Sequence, residues 1–358
     1  MAQLLIDTHK LRHNIKYVLE IADQAQTELV GVLKGVNSFP TLFELFKENG
    51  IRRIGVSRME TARKIKEKTG IKPISIALPQ ISMADEIVAL FSSSLNSEID
   101  TIFALGEAAS RQSIVHDIIL MVDVGDLREG VLPDDVLKTV GQILDRNHPG
   151  LALKGIGANW GCGCGLIPDG KNIQVLAGLA NDIENRFGLP AQTVSIGGSL
   201  LLDWMENNRL PRRINQIRVG EAILLGNIPT INKPHPGLFQ DVFRLRGELL
   251  EIKEKPSCPS GRAGFNALGK KTPIKDIGIR QRAIVNIGVT DTDVSEIQPL
   301  KRGVQVVCSN SDCAILDVTD EMAGYKPGDV LEFSLNYSSL SLCLMSPFIR
   351  IKLTNDHV

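Results

Sequence analysis

Lys34 closes the apolar run Glu28-Leu29-Val30-Gly31-Val32-Leu33, whose composition is that of a buried β-strand. Lysine is almost never fully buried without a partner. An ammonium at the mouth of such a strand points to chemistry, because desolvation lowers its pKa and frees the amine to form a Schiff base. The plain structural alternative is a lysine snorkelling into water. Further polar residues stand at the ends of other apolar runs: Arg58, Asn96, Asp123 with Arg128, Asn159, Gly197-Gly198-Ser199, and Arg218 with Gly220. Cations, amide donors and glycines at so many run ends describe a site. The glycines let backbone amides approach a phosphate closely, although each pair also suits a tight turn.

The elements that must position these residues alternate along the chain. Strands are predicted at 28–34, 52–58, 74–79, 93–97, 117–124, 153–159, 193–197 and 216–220. Helical patterns occupy 40–49, 59–69, 82–91, 98–112, 134–146 and 171–187, and one more helix lies within 7–26. Gly50, Gly70 and Gly188 fall where helices should stop. Eight nearly continuous apolar strands separated by helices imply a parallel sheet covered on both faces, and eight is the number that closes a β/α barrel. The fold class is therefore α/β: an N-terminal (β/α)8 TIM-like barrel over residues 1–230. From 231 to 358, after the proline-rich 227–237, the chain reads as a mainly β domain with strands at 243–253, 282–287, 304–309, 314–318, 330–337 and 348–353.

Barrel active sites lie at the C-terminal ends of the strands, often with phosphate held after the last two. A Schiff-base lysine after the first strand, facing glycines after the seventh and eighth, describes a site for pyridoxal 5'-phosphate. Four motifs add a resemblance: Leu33-Lys34-Gly35, Val122-Asp-Val-Gly-Asp-Leu-Arg-Glu-Gly130, Arg218-Val-Gly-Glu-Ala-Ile223 and Ser311-Asp-Cys-Ala-Ile-Leu-Asp-Val-Thr-Asp320. In that order they resemble the alanine racemase family, and its ornithine racemase branch most closely. The resemblance implies an amino-acid racemase acting on ornithine or another basic or small amino acid. It implies that Lys34 carries the cofactor and acts as one of two bases, and that Arg218 faces the pyridine nitrogen. Arg128 would lie near the cofactor phenolate and the substrate carboxylate, and Tyr337 would bind phosphate with Gly198, Ser199 and Gly220. It also implies a homodimer with shared active sites, to which Asp312 contributes across the subunits.

The chain departs from the family pattern in several places. Ser260 stands for the catalytic tyrosine, Met121 for a lysine that is carbamylated in some members, Ser38 for a phosphate-binding tyrosine, and Asn159 for a ring-stacking histidine. A serine hydroxyl is a poor base without a helper. Cys162, Asp312 and Cys313 are the candidates for the second base, and Cys162 is preferred because it follows the sixth strand. Glu129, Glu221 and Asp312 could each meet a basic substrate side chain.

Composition narrows the classes. The 358 residues carry a formal net charge of -1 and are 43% hydrophobic, which gives no basic footprint for nucleic acid. No apolar run approaches the ~18 residues of a membrane span, and the N-terminus lacks a signal-peptide layout. Six sparse cysteines read as reduced thiols of a cytoplasmic protein, and Cys162-Gly-Cys164 alone is too weak a pattern for a metal. A metal-dependent lyase on the same barrel would need a His-x-Cys pair near the C-terminus, where His357 stands alone. A non-catalytic cofactor carrier would have no use for the second domain. Borohydride reduction of the cofactor-loaded protein, followed by peptide mapping, should place the pyridoxyl group on Lys34; a label on any other lysine refutes that role.

Overall fold

The computed structural model describes residues 1–34, 40–231, 233–266, 268–269, 271, 275–321 and 324–354. Gly35 of the lysine motif, Ser38 and His357 lie outside them. The described residues divide into two compact units, Arg12–Gln240 and, separately, Met1–Leu11 with the chain from Asp241 onward. No helix among them is long and apolar enough to cross a membrane.

The first unit is a closed barrel of eight parallel strands in chain order: Glu28–Val32, Arg53–Val56, Ile74–Ser75, Ser93–Asn96, His116–Met121, Leu151–Asn159, Thr193–Gly197 and Gln216–Val219. All eight coincide with predicted strands. Closure is made by pairing of the first and last, with Val30 opposite Arg218. Helices Pro40–Glu48, Met59–Thr69, Ala84–Leu90, Ile99–Arg111, Val136–Arg146 and Gly170–Phe187 alternate with the strands. Gly70 and Gly188 cap two of them in the left-handed conformation. Two further helices, Leu201–Asn207 and Glu221–Leu225, follow the last two strands. They are too short to show periodicity in the sequence.

The barrel interior is divided. Leu95, Ile119 and Met121, with Ile76 against them, form an apolar cluster. Ser195, Gln216 and Arg218 are buried as well, and alternate residues along a strand share a face. The register of the sixth strand slips by one residue opposite Ile118 and Ile119, so that Lys154 bulges out. After the bulge Gly157 faces Met121 and Ile119. Two residues on, Asn159 shares that inward face.

In the second unit, Gln3–Asp7 pairs antiparallel with Phe243–Pro256 and parallel with Arg350–Thr354. Ile279–Val285, Ile297–Pro299, Gln305–Ser309, Ala314–Asp317 and Val330–Leu335 complete an eight-stranded sheet. Tyr337 is a correction. The strand predicted over 330–337 ends at Leu335, and Tyr337 opens the helix Tyr337–Met345. Asn336 caps that helix by accepting from the Ser339 amide, which turns the chain out of the sheet.

One buried group gives the barrel a pH dependence. His116, 1% exposed, lies 2.9 Å from Ser94 Oγ through Nε2, and its Nδ1 has no partner among the described residues. Burial, with the Lys72 charge adding to it, pushes the imidazole pKa down to about 4. The unfolded chain binds that proton at pH values where the folded one does not, so stability should rise with pH between about 4 and 6.5. The change attributable to His116 is roughly 3 kcal/mol. Urea unfolding at a series of pH values should show that slope, and His116→Gln should flatten it.

Candidate active site

The centre of the site is Arg218, 4% exposed on the eighth strand. Its Nη1 donates to Ser195 Oγ at 2.5 Å, and its Nη2 donates to the Ala158 carbonyl at 2.8 Å and to Asn159 Oδ1 at 2.7 Å. Burial pulls its pKa down to about 10, against the opposing charges of Glu129 and Cys162 and with that of Arg128. Asn159 in turn donates from Nδ2 to Glu129 Oε1 at 2.5 Å. The same carboxylate takes the Arg128 guanidinium side-on, through Nη2 at 2.5 Å and through Nε. Burial raises the Glu129 pKa, and Arg128, the Asn159 hydrogen bond and Arg218 oppose that rise. Three residues predicted for one site, Arg128, Asn159 and Arg218, thus form a single network. Glu129 joins them, although the sequence suggested it only as a partner for a substrate side chain.

Two glycines permit close packing that a side chain would prevent. A Cβ on Gly197 would lie 2.7 Å from both Arg218 Nη2 and Asn159 Oδ1, and one on Gly220 would lie 2.8 Å from the Val32 carbonyl oxygen. Ser199, also buried, accepts from the Ala222 amide at 2.9 Å. It therefore ties the Gly197-Gly198-Ser199 loop to the helix that begins after Gly220. Lys34 is exposed in a bend just past the first strand. Its charge reaches Glu221, whose pKa burial raises and Lys34 lowers.

Cys162 is exposed in the loop after the sixth strand, and Asp126 holds that loop. The buried Asp126 carboxylate accepts from the amides of Gly161 (3.1 Å), Cys162 (3.0 Å), Gly163 (2.8 Å) and Leu166 (3.3 Å). Four donors on one carboxylate are a strong anchor. They also explain the spacing of Cys162-Gly-Cys164: a Cβ on Gly163 would meet the Asp126 carbonyl at 2.5 Å, and Gly161 has φ 72°. Asp126 carries no local signal in the sequence, because its partners lie 35 to 40 residues away. The Asp126 loop is itself folded back, with Asp123 accepting from the Gly125 and Leu127 amides and Val122 bridging Val131.

Other predicted residues are not among the hydrogen-bonded members of this network. Asn96 uses its amide on Ser94, in its own strand. Asp312 and Cys313 belong to the second unit, where Asn310 Oδ1 accepts from both of their amides. Ser260 is exposed in the same unit.

Residues 6–227 match the alanine racemase N-terminal domain family. The chain is 33% identical to the ornithine racemase of Acetoanaerobium sticklandii over 98% of its own length and 99% of that protein. It is 36% identical to the lysine racemase of Thermotoga maritima, with 97% of each chain covered. Among solved structures, the alanine racemase of Bartonella henselae with covalently bound pyridoxal phosphate superposes with a TM-score of 0.74 at 16% identity, covering 99% of both chains. At that identity the likeness is one of fold.

The Asp126 anchor yields a direct expectation. Asp126→Ala leaves four amides without their acceptor, and hydrogen exchange should show loss of protection across residues 161–166. Protection unchanged from the parent protein would show that the loop holds itself.

Proposed function

This chain belongs to the alanine racemase N-terminal domain family, and from that premise we propose that it is a pyridoxal 5'-phosphate-dependent amino-acid racemase. The observation that carries the proposal is Arg218: a buried guanidinium with three of its N–H donors fixed by neutral acceptors. A guanidinium has five such donors, so two are left for a ligand. The donor set suits the cofactor. Lys34 brings an amine for a carbonyl, Arg218 brings donors for a ring nitrogen, and Gly198, where a Cβ would meet nothing nearer than Leu200 at 3.5 Å, leaves its backbone open to a phosphate.

Bound at this site, pyridoxal phosphate supplies the electron-withdrawing carbonyl and ring that acidify the substrate's Cα–H. Arg218 offers donors and no acceptor, so it keeps the ring nitrogen unprotonated and tempers the withdrawal. That suits racemisation, since a less stabilised carbanion is less exposed to side reactions. Gly198, Ser199, Gly220 and Tyr337 would hold the phosphate, and Asn159 would meet the ring. Arg128, oriented by Glu129, presents its remaining donors to the substrate carboxylate. Lys34 Nζ takes or returns the Cα proton on one face, and Cys162 Sγ does so on the other. The thiol is exposed, on a loop whose Gly163 packs closely against Arg128, which supports that assignment.

The relatives named ornithine racemase and lysine racemase support a substrate with a basic side chain. Glu129 and Glu221, both partly buried, supply acidic groups to meet it. The working unit in this reading is a cytoplasmic homodimer with active sites shared between subunits, and Asp312 serves the site of the opposite subunit.

Incubation with a panel of L-amino acids in heavy water, read by chiral chromatography and loss of the Cα proton signal, tests the activity. Ornithine and lysine should exchange and racemise fastest; exchange with no amino acid would falsify the reading. Cys162→Ser should lower turnover by about 10²–10⁴-fold in both directions while cofactor binding stays intact. Near-normal turnover in that variant would clear Cys162.

A further inference from the structure

We infer that Gln216 and Glu28, at the N-terminal end of the barrel strands, are positioning residues for Arg218 and act on it through Ser195. The inference rests on the racemase reading in one respect: it takes Arg218 to meet the cofactor.

The observations form one chain of hydrogen bonds. Arg218 Nη1 donates to Ser195 Oγ at 2.5 Å, Ser195 Oγ donates to Gln216 Oε1 at 2.7 Å, and Gln216 Nε2 donates to Glu28 Oε2 at 2.9 Å. Arg53 Nε closes the chain on Glu28 Oε1 at 2.9 Å. Ser195, Gln216 and Arg218 are all buried, at 0%, 3% and 4% exposure. Glu28 and Gln216 are the first residues of their strands and face each other across the pair. Lys34 follows the other end of the strand that Glu28 begins. The chain therefore runs from the end of the barrel remote from the lysine up to the guanidinium.

Polarity makes this more than filling. A hydroxyl has a single proton and rotates freely, so Ser195 can turn either that proton or a lone pair toward Arg218. Giving the proton to Gln216 leaves the lone pair for Arg218. The Gln216 amide can in turn be reversed, but its oxygen would then face the Glu28 carboxylate and its N–H would face Ser195. The Glu28 charge excludes that arrangement, and Arg53 steadies the carboxylate. Each group's orientation is thus set by the next one outward, and low-dielectric surroundings strengthen such a chain. Glu28 is 41% exposed, so it acts by orientation more than by direct attraction on Arg218.

The test compares wild type with Gln216→Leu, Glu28→Leu and Glu28→Gln. Each is loaded with pyridoxal phosphate for its visible spectrum, kcat and KM, and is also prepared cofactor-free. Tryptophan fluorescence of the cofactor-free protein gives the Kd for pyridoxal phosphate, and thermal melting reports the fold. Gln216→Leu and Glu28→Leu should lower kcat by about 10- to 100-fold, as loss of an outer-shell partner does at metal sites. KM should stay within about threefold, since the loss falls on the reacting state. The visible band should shift and the Kd should rise. Glu28→Gln keeps an acceptor for Gln216 Nε2 and should recover most of kcat and the wild-type band. Unchanged kcat, spectrum and Kd with only a lower melting point would overturn the inference and leave the chain as polar core. If Gln216→Leu does not fold, the two Glu28 variants decide the question. A wild-type protein that binds no pyridoxal phosphate overturns the racemase reading itself, a result distinct from variants that bind and turn over like wild type.

Discussion

A guanidinium in a barrel core is the constraint on which the rest of this site depends. Desolvating a cation is costly unless its donors are met, and around Arg218 three of them are met by residues from the two preceding strands, with Gln216 one step behind. Ala158 and Asn159 come from the sixth strand, Ser195 from the seventh, and Gln216 lies two residues back on the eighth. Each requirement fixes something else. The bulge at Lys154 must reset the sixth strand so that Asn159 points inward. Position 197 must be glycine, because any Cβ would lie against both Arg218 and Asn159. The apolar cluster of Leu95, Ile119 and Met121 is left to fill the rest of the barrel.

The mouth is organised by a second anion. Asp126 gathers the loop after the sixth strand by its amides, and that loop carries Cys162. Three residues along the same segment, Glu129 binds Arg128 and Asn159. One stretch, 122–131, therefore sets both the thiol's loop and the placement of Arg128 and Asn159. Its own shape is closed by Asp123 and by Gly130, where φ is 134° and a Cβ would come 2.3 Å from the Asp123 nitrogen. The motif that carries the family likeness is thus a folded unit whose residues hold one another and the neighbouring loop.

The barrel was legible because its signals are local. Eight apolar runs, the helices between them and the capping glycines all depend on residues close in sequence. The strand at Gln3–Asp7 was not legible: it is defined by pairing with Phe243–Pro256 and Arg350–Thr354, far along the chain. The clean alternation of Val330–Leu335 extends a strand pattern to Tyr337, whereas the Asn336 cap ends the strand and begins a helix. At the site, residue types at strand ends picked out Arg128, Asn159 and Arg218. They could not show that Asn96 turns its amide to Ser94, nor that Asp126, Glu129, Ser195 and Gln216 hold the others, since those roles exist only once distant strands are side by side.

The way Arg218 is compensated bears on its chemistry. A carboxylate bonded directly to it would take two parallel donors and neutralise the charge on contact. Here the first partners are a hydroxyl, a backbone carbonyl and an asparagine oxygen, all neutral. The carboxylates stand further off: Glu129 one step behind Asn159, and Glu28 two steps behind Ser195, beyond Gln216. Neutral acceptors hold the guanidinium in place and leave it cationic, with donors still to offer. Carboxylates at a distance fix the orientation of those acceptors without competing for the donors. Burial pulls the Arg218 pKa down only to about 10, so the group remains protonated near neutral pH. An arginine held in this manner can give hydrogen bonds and cannot receive a proton, which is the property a site must have if it is to hold a basic ring nitrogen in its neutral form.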